Sequence, residues 1–299
     1  MNGRTAILIA AYAASSLPAQ EGGIEIFTGE TLFKEGLRVS ITEIYKPKTD
    51  LYSGSTEITN VADTKLIEHR SVVGLDYGFD SDFTASVLLP LVHKRFTSAG
   101  LRASTAGLGD TAVLTKYRLI QDEWQAGGFN WAVVSGLELP TGATDETENG
   151  VRLPTSAQLG SGAWNPFLAT SATLGSGRAR FDASVFYKLN TEGAQQTETG
   201  DFFSADISAA YRFLHYKYPG PTFGARIGLQ YRHDSRSEVN GVTAANSGAD
   251  ELLLRPALSI HPIPRMDLNI GARIPVYQHY NGEQLGRGVE WFIAFGLRF

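Results

Sequence analysis

Charged residues in this 299-residue chain recur at every second position of segments whose remaining positions are large and apolar. Glu68, Arg70, Asp76, Lys116, Asp182, Asp206, Arg226, Arg255, Arg273 and Glu290 carry the pattern, with Glu43, Arg118, Glu138, Arg180, Lys188 and Arg212 extending it. Both signs are interleaved. Unpaired charges in a dry interior cost several kcal/mol each, so such a set must pair across neighbouring segments or line a wet path. A path of mixed sign discriminates weakly between anions and cations. No catalytic spacing competes with this reading. G-x-S-x-G, H-E-x-x-H and the P-loop are missing, and Gly107-Leu-Gly-Asp110 has only the first two glycines of a dinucleotide fingerprint. The six histidines stand singly, as interfacial or solvated histidines do. Asp145, Glu146 and Glu148 form an acidic loop without the late bidentate Glu of a calcium hand. A Ser and a His on adjacent strands could still meet without any local motif, which keeps a lipid hydrolase as the least favoured alternative.

The elements that position these charges are strands. Alternation with period two is the signature of a strand with one apolar face. Val289, Trp291, Ile293, Phe295, Leu297 and Phe299 supply that face at the C-terminus without a gap. Similar faces recur in Val73/Leu75/Tyr77/Phe79, Phe129/Trp131/Val133, Phe203/Ala205/Ile207/Ala209, Phe223/Ala225/Ile227/Leu229 and Met266/Leu268/Ile270. The alternation predicts about twelve strands, at 37–45, 67–79, 83–95, 110–120, 128–139, 164–174, 178–189, 202–214, 222–233, 251–260, 266–277 and 289–299. Connections at 80–82, 121–127, 175–177, 215–221 and 261–265 are short; those at 46–66, 96–109, 140–163, 190–201, 234–250 and 278–288 are longer. Short and long alternate strictly, as in a transmembrane antiparallel up-and-down β-barrel with short periplasmic turns and long extracellular loops. A soluble sandwich has no reason to sort its loops in this way.

Composition agrees. Mean hydropathy is −0.12 and no apolar run reaches the roughly 18 residues of a membrane helix, but barrel strands leave no hydropathy peak. The net charge of −5 makes a nucleic-acid partner a poor fit, and the absence of cysteine suits an oxidising compartment. Residues 1–19 read as a secretory signal, with Arg4 before the apolar Thr5–Ala14 and a small-residue cleavage region ending at Ala19. Residues 20–36 read as a periplasmic or lumen-entering arm and 37–299 as the barrel. Pro47, Pro90, Pro140 and Pro275 lie toward the far ends of outward-running strands, where a missing donor predicts loosened or bulged pairing.

The stretches GETLFKEGLRVSI, DLYSGS, GLGDTAVLTKYRL, GLELPTG, PTSAQLGSGAWNPFLATSATL and FIAFGLRF together resemble the outer-membrane barrels of the meta-pathway of phenol degradation family. That resemblance implies a channel for small, often aromatic or hydrophobic molecules. It also marks Trp291, Ile293, Phe295, Leu297 and Phe299 as the signal read by the barrel assembly machinery. The sequence is thus expected to form an outer-membrane channel, in contact with membrane lipid and a small permeant, that works by passive diffusion and needs no cofactor. The alternative is a non-conducting barrel with a binding or structural role at the surface.

Overall fold

The computed structural model describes residues 28–125, 127–215 and 221–299. The predicted signal and the first part of the arm lie outside them. The chain forms a closed antiparallel barrel of twelve strands. In order these are β1 (Leu37–Lys48), β2 (Lys65–Gly78), β3 (Phe83–Ser98), β4 (Leu101–Leu108 continued by Thr111–Trp124), β5 (Gly127–Leu139) and β6 (Asn165–Ser176). Then follow β7 (Ala179–Lys188), β8 (Phe202–His215), β9 (Thr222–Asp234), β10 (Ala249–Leu254 continued by Ala257–His261), β11 (Met266–Leu285) and β12 (Glu290–Arg298). Each strand pairs with its sequence neighbour, and β1 closes on β12 from Arg38↔Arg298 to Tyr45↔Trp291. Closure removes every sheet edge, which a membrane requires because an unpaired backbone group in hydrocarbon costs several kcal/mol.

Alternation in the sequence becomes inside and outside. Trp291 and Ile293 are 58% and 51% exposed on the outer wall, while Phe292 and Ala294 between them are 5% and 0% exposed. Ile207, Ile227 and Leu229 face outward in the same way.

Three expectations need correction. The connection over 96–109 is not a loop: Ala99 and Gly100, with φ of 48° and 86°, make a two-residue turn, and β3 pairs with β4 from Ser98↔Leu101 onward. Positive φ at both central residues matches the twist of the flanking strands, so the hairpin closes tightly and its pairing continues down the wall to Leu91↔Leu108. The segment over 278–288 is not wholly a loop either, because β11 runs 20 residues, to Leu285. Finally, Glu43 belongs to the outer row with Val39 and Ile41, where Ser71 Oγ donates to its carboxylate at 2.7 Å.

The prolines mark irregularities in two of four places. Pairing passes from Leu88↔Ala112 to Leu91↔Leu108 through one extra residue in β4, opposite Pro90, whose carbonyl accepts from Gly109 N at 2.7 Å. In β11 a register shift separates Leu253↔Pro275 from Leu252↔Tyr277. Pro47 keeps regular pairing with Ile67 on its β2 side, and Pro140 follows the end of β5.

Candidate functional site in the barrel interior

All ten charged side chains expected in the lumen project inward, and most are drawn into pairs. Arg70 Nε lies 2.8 Å from Glu68, which also faces Lys46 at 3.7 Å and Lys94 at 4.0 Å. Arg226 and Arg180 flank Asp182 at 2.7 Å and 3.0 Å. Arg255 pairs with Asp206, and Arg273 with Glu290 at 2.8 Å. Asp76 reaches Arg38 at 3.4 Å, and Arg38 reaches Asp267 at 3.2 Å. A guanidinium and a carboxylate one or two strands apart repeatedly meet, so the interior charge is largely compensated within the wall.

Among the described residues, the arm and the connection from β5 to β6 enter the lumen. At the short-turn end the arm runs inside the barrel: Gly29 N donates to Thr173 Oγ1 at 2.9 Å, and Ser171 Oγ donates to the carbonyl of Thr28 at 2.9 Å. There, Glu30 pairs with Arg180 at 2.9 Å, and Lys116 Nζ donates to the Glu30 carbonyl at 3.3 Å. A cavity of about 190 Å³ remains beside the arm, bounded by Glu30, Leu32, Arg38, Asp76, Lys116 and Arg298. At the long-loop end the connection from β5 to β6 folds inward, burying Leu153, Ser156, Ala157, Gln158 and Leu159. Lys94 Nζ donates to the carbonyls of Ser156 at 3.0 Å and Gln158 at 2.6 Å. Asp110, at the β4 bulge, accepts from Gly142 N at 3.0 Å, Ser161 N at 2.6 Å and Ser161 Oγ at 2.7 Å.

Between the plugs the lining is not uniformly polar. Val72, Leu88, Leu114, Val134, Phe167, Phe186 and Phe202 form one buried apolar cluster on the inner wall. Phe167 and Phe186 have ring centroids 5.5 Å apart, Phe186 and Phe202 5.7 Å, and the Arg232 guanidinium carbon lies 4.7 Å from the Phe202 centroid. The sequence signal for this cluster is the apolar doublet: Val72-Val73, Val133-Val134, Phe186-Tyr187 and Phe202-Phe203 place one apolar side chain on each face.

Among the described residues, the ladder between β11 and β12 stops partway up the wall. β11 and β12 are paired from Met266↔Leu297 to Arg273↔Glu290. Above that point β11 stays paired to β10 as far as Tyr280, and the chain turns at Gly282, with φ of 69°, before descending along residues 47–53. It pairs with them from Ser53↔Glu283 to Leu51↔Leu285 and through Gly288 N to the Pro47 carbonyl at 2.9 Å. Side chains bridge the two limbs: Arg287 N donates to Gln278 Oε1 at 2.8 Å and to Tyr280 Oη at 2.9 Å. The Arg287 guanidinium contacts Glu251 at 2.9 Å and also Glu290, while Tyr280 Oη donates to Glu251 at 2.8 Å. Arg287 and Glu251 escaped sequence reasoning because both sit at or beyond the ends of the alternating segments.

Ser and His do meet: His93 Nε2 lies 3.0 Å from Ser104 Oγ on the adjacent strand, and His279 Nδ1 lies 3.1 Å from Ser55 Oγ, in the turn after Gly54. Neither imidazole has a carboxylate hydrogen-bonded to its second nitrogen among the described residues, so the orienting group of a triad is missing from both.

A closed twelve-stranded antiparallel barrel with an apolar outer belt and a charged, plugged interior defines a transmembrane β-barrel protein. The chain belongs to the family described as "Putative MetA-pathway of phenol degradation", whose model matches residues 54–288. Among solved structures it is similar to the COG4313 outer membrane channel from Pseudomonas putida F1, at 16% identity and a TM-score of 0.70 over 90% of this chain and 97% of that one. It is also matched, more distantly, to the beta domain of the Bordetella autotransporter Brka, at 12% identity and a TM-score of 0.49 over 89% and 100% of the two chains. A Pseudomonas aeruginosa FadL homologue aligns at 8% identity and a TM-score of 0.40 over 88% and 89%. No curated protein matches the sequence. The fold is that of outer-membrane barrels.

Proposed function

We propose that this protein is a passive outer-membrane channel for small molecules with apolar or aromatic bodies, delivered to the outer membrane after export on the signal at residues 1–19 and assembled through the row Trp291–Phe299. The observation that carries the reading is the inner apolar cluster of Phe167, Phe186 and Phe202 set against buried, internally paired charges. A porin for hydrophilic solutes has no use for an aromatic slope inside its wall, whereas a planar apolar solute gains from it by offset or edge contacts. The limb between β11 and β12 has backbone pairing to residues 47–53 but meets β11 only through side chains above Arg273↔Glu290, and that unladdered seam supports a sideways step between lumen and membrane. Movement down a gradient needs no cofactor and no catalytic group. Asp182–Arg226, Asp206–Arg255 and Arg273–Glu290 are the pairs that would set the polar side of the path, with Glu68, Arg70, Asp76 and Lys116 at its two ends.

The arm and the inward loop also favour a second reading, a barrel that does not conduct and acts at the surface. Conductance of the purified full chain in a planar bilayer separates the two. Discrete steps altered by Arg226→Glu support the channel. A folded but silent barrel supports the second reading.

A further inference from the structure

The outer wall carries a polar patch that neither the lumen nor barrel closure uses. On β2, β3 and the upper part of β4 the outward rows run, from the membrane centre toward the long-loop end, through Ser71/Leu91/Leu108, His69/His93/Ala106, Ile67/Arg95/Ser104 and Lys65/Thr97/Arg102. In the lowest row Leu91 and Leu108 are exposed, while Ser71, toward β1, donates to the outward Glu43 at 2.7 Å. The next marks an interface: Tyr45 and His69 have ring centroids 5.0 Å apart, and His69 and His93 6.1 Å. With a rise near 3.4 Å per residue and a tilt of about 40°, Arg95 lies about 5 Å and Arg102 about 10 Å above that histidine row. This is the depth of lipid headgroups.

Arg95 and Arg102 are diagonal neighbours on one face, roughly 7–8 Å apart at their Cα atoms by sheet geometry, and both are exposed. Lys65, in the upper row, is satisfied by Asp63 at 2.6 Å. Among the described residues no carboxylate pairs with either arginine. The far side of the barrel is the reverse, because Asp201 and Asp250 accept from Tyr187 and Tyr231 at 2.5 Å and 2.6 Å. Two guanidiniums that share a headgroup-level surface and lack a protein counter-charge call for an external anion, and a guanidinium fork matches phosphate oxygens.

We propose that Arg95 and Arg102, assisted by His93 and Ser104, bind the phosphate of an anionic lipid headgroup in the leaflet at the long-loop end. The inference rests on the barrel spanning a membrane and is independent of what passes through it. The occupant is a lipid because, along β3 and β4, the patch continues downward into the exposed Leu89, Leu91 and Leu108, where acyl chains would lie.

The test uses the purified full-length barrel in a nonionic detergent with diphosphoryl lipid A as the probe, bound lipid being read by native mass spectrometry. Wild type should bind saturably. With each basic group near the surface contributing about 1 kcal/mol, the Arg95→Gln/Arg102→Gln variant should bind roughly 30-fold more weakly. The Arg95→Lys/Arg102→Lys variant should keep most of the affinity, and Arg265→Gln at the short-turn end should match wild type. Fully dephosphorylated lipid should bind wild type as weakly as the diphosphoryl lipid binds the glutamine variant, an arm that decides the matter even if that variant fails to fold. Equal binding by wild type and the glutamine variant, equal binding of the dephosphorylated lipid, or displacement by inorganic phosphate would overturn the proposal. A barrel that binds the lipid but conducts no ions keeps this inference and loses the channel reading.

Discussion

Replacing Glu290 with Gln perturbs the barrel where its wall depends most on side chains. Glu290 is 1% exposed, pairs with Arg273 at 2.8 Å, and also meets Arg287, whose other partner, Glu251, is 2.9 Å away. Glutamine keeps the shape of the side chain and one acceptor, so packing is nearly unchanged and the loss is electrostatic. The variant removes the carboxylate that Arg273 and Arg287 share and leaves Arg287 on Glu251, which already faces Arg232 at 3.4 Å; removing one member of a buried, hydrogen-bonded ion pair costs about 3–5 kcal/mol. Part of that loss is local, because Arg287 also ties the descending limb to Gln278 and Tyr280 through its backbone N–H. The account therefore expects two linked effects: a lower urea midpoint for unfolding from lipid vesicles, and more frequent current fluctuations as the limb beside β11 comes loose. Tryptophan fluorescence reports the first, with Trp291 adjacent to the change, and planar-bilayer recordings report the second. Replacing Arg273 with Met in the same chain should recover a large part of the stability, since both members of that pair are then neutral. A stability within about 0.5 kcal/mol of wild type, the level of an ordinary surface substitution, together with unchanged recordings would refute the reasoning and mean that the cluster is wet and screened.

Other expectations follow from facing and register. Arg226→Glu, which turns the 2.7 Å pair with Asp182 into a repulsion, should change ion preference in bilayer recordings while the barrel still assembles. Lysine at Ile207 or Ile270, which are 61% and 43% exposed on the outer wall, should cost roughly 2–4 kcal/mol near the bilayer midplane and lower the folded yield seen as heat-modifiable migration. Asp110→Asn weakens three hydrogen bonds that pin the inward loop at Gly142 and Ser161. Proteolysis of that loop should accelerate and the current should rise, at a cost of about 1–3 kcal/mol confined to the loop.

Much of the architecture was legible because a barrel strand has one simple requirement, an apolar residue at every second position. β5, β6, β7, β8 and β9 lie within two residues of their predicted spans for that reason. The misreadings have physical causes. Over 96–109 the polar Ser104, Thr105 and Gly107 look like loop, yet they continue a hairpin that rises beyond the apolar belt, where alternation no longer has to show. β11 was cut short because it leaves that belt in the same way, and Arg287 with it. Glu43 was placed inside by its charge although its parity with Val39 and Ile41 puts it outside; the outward Ser71 gives it a partner. The inner aromatic cluster was readable only from doublets such as Phe202-Phe203, because a charge-led search of the lumen passes over residues that are apolar on both faces. Which arginine would meet which carboxylate depended on register, and register is set by pairing across the barrel, which a single strand does not encode.

The central claim, that small aromatic molecules travel along the inner apolar wall, is tested most directly by single-channel recording of the full chain with phenol added to the bath. The account predicts discrete steps interrupted by phenol in a concentration-dependent way, no such interruption by a sugar of similar size, and weaker interruption in Phe202→Ala, which removes the ring 5.7 Å from Phe186. Steps that ignore phenol, or an interruption that Phe202→Ala leaves unchanged, would contradict it.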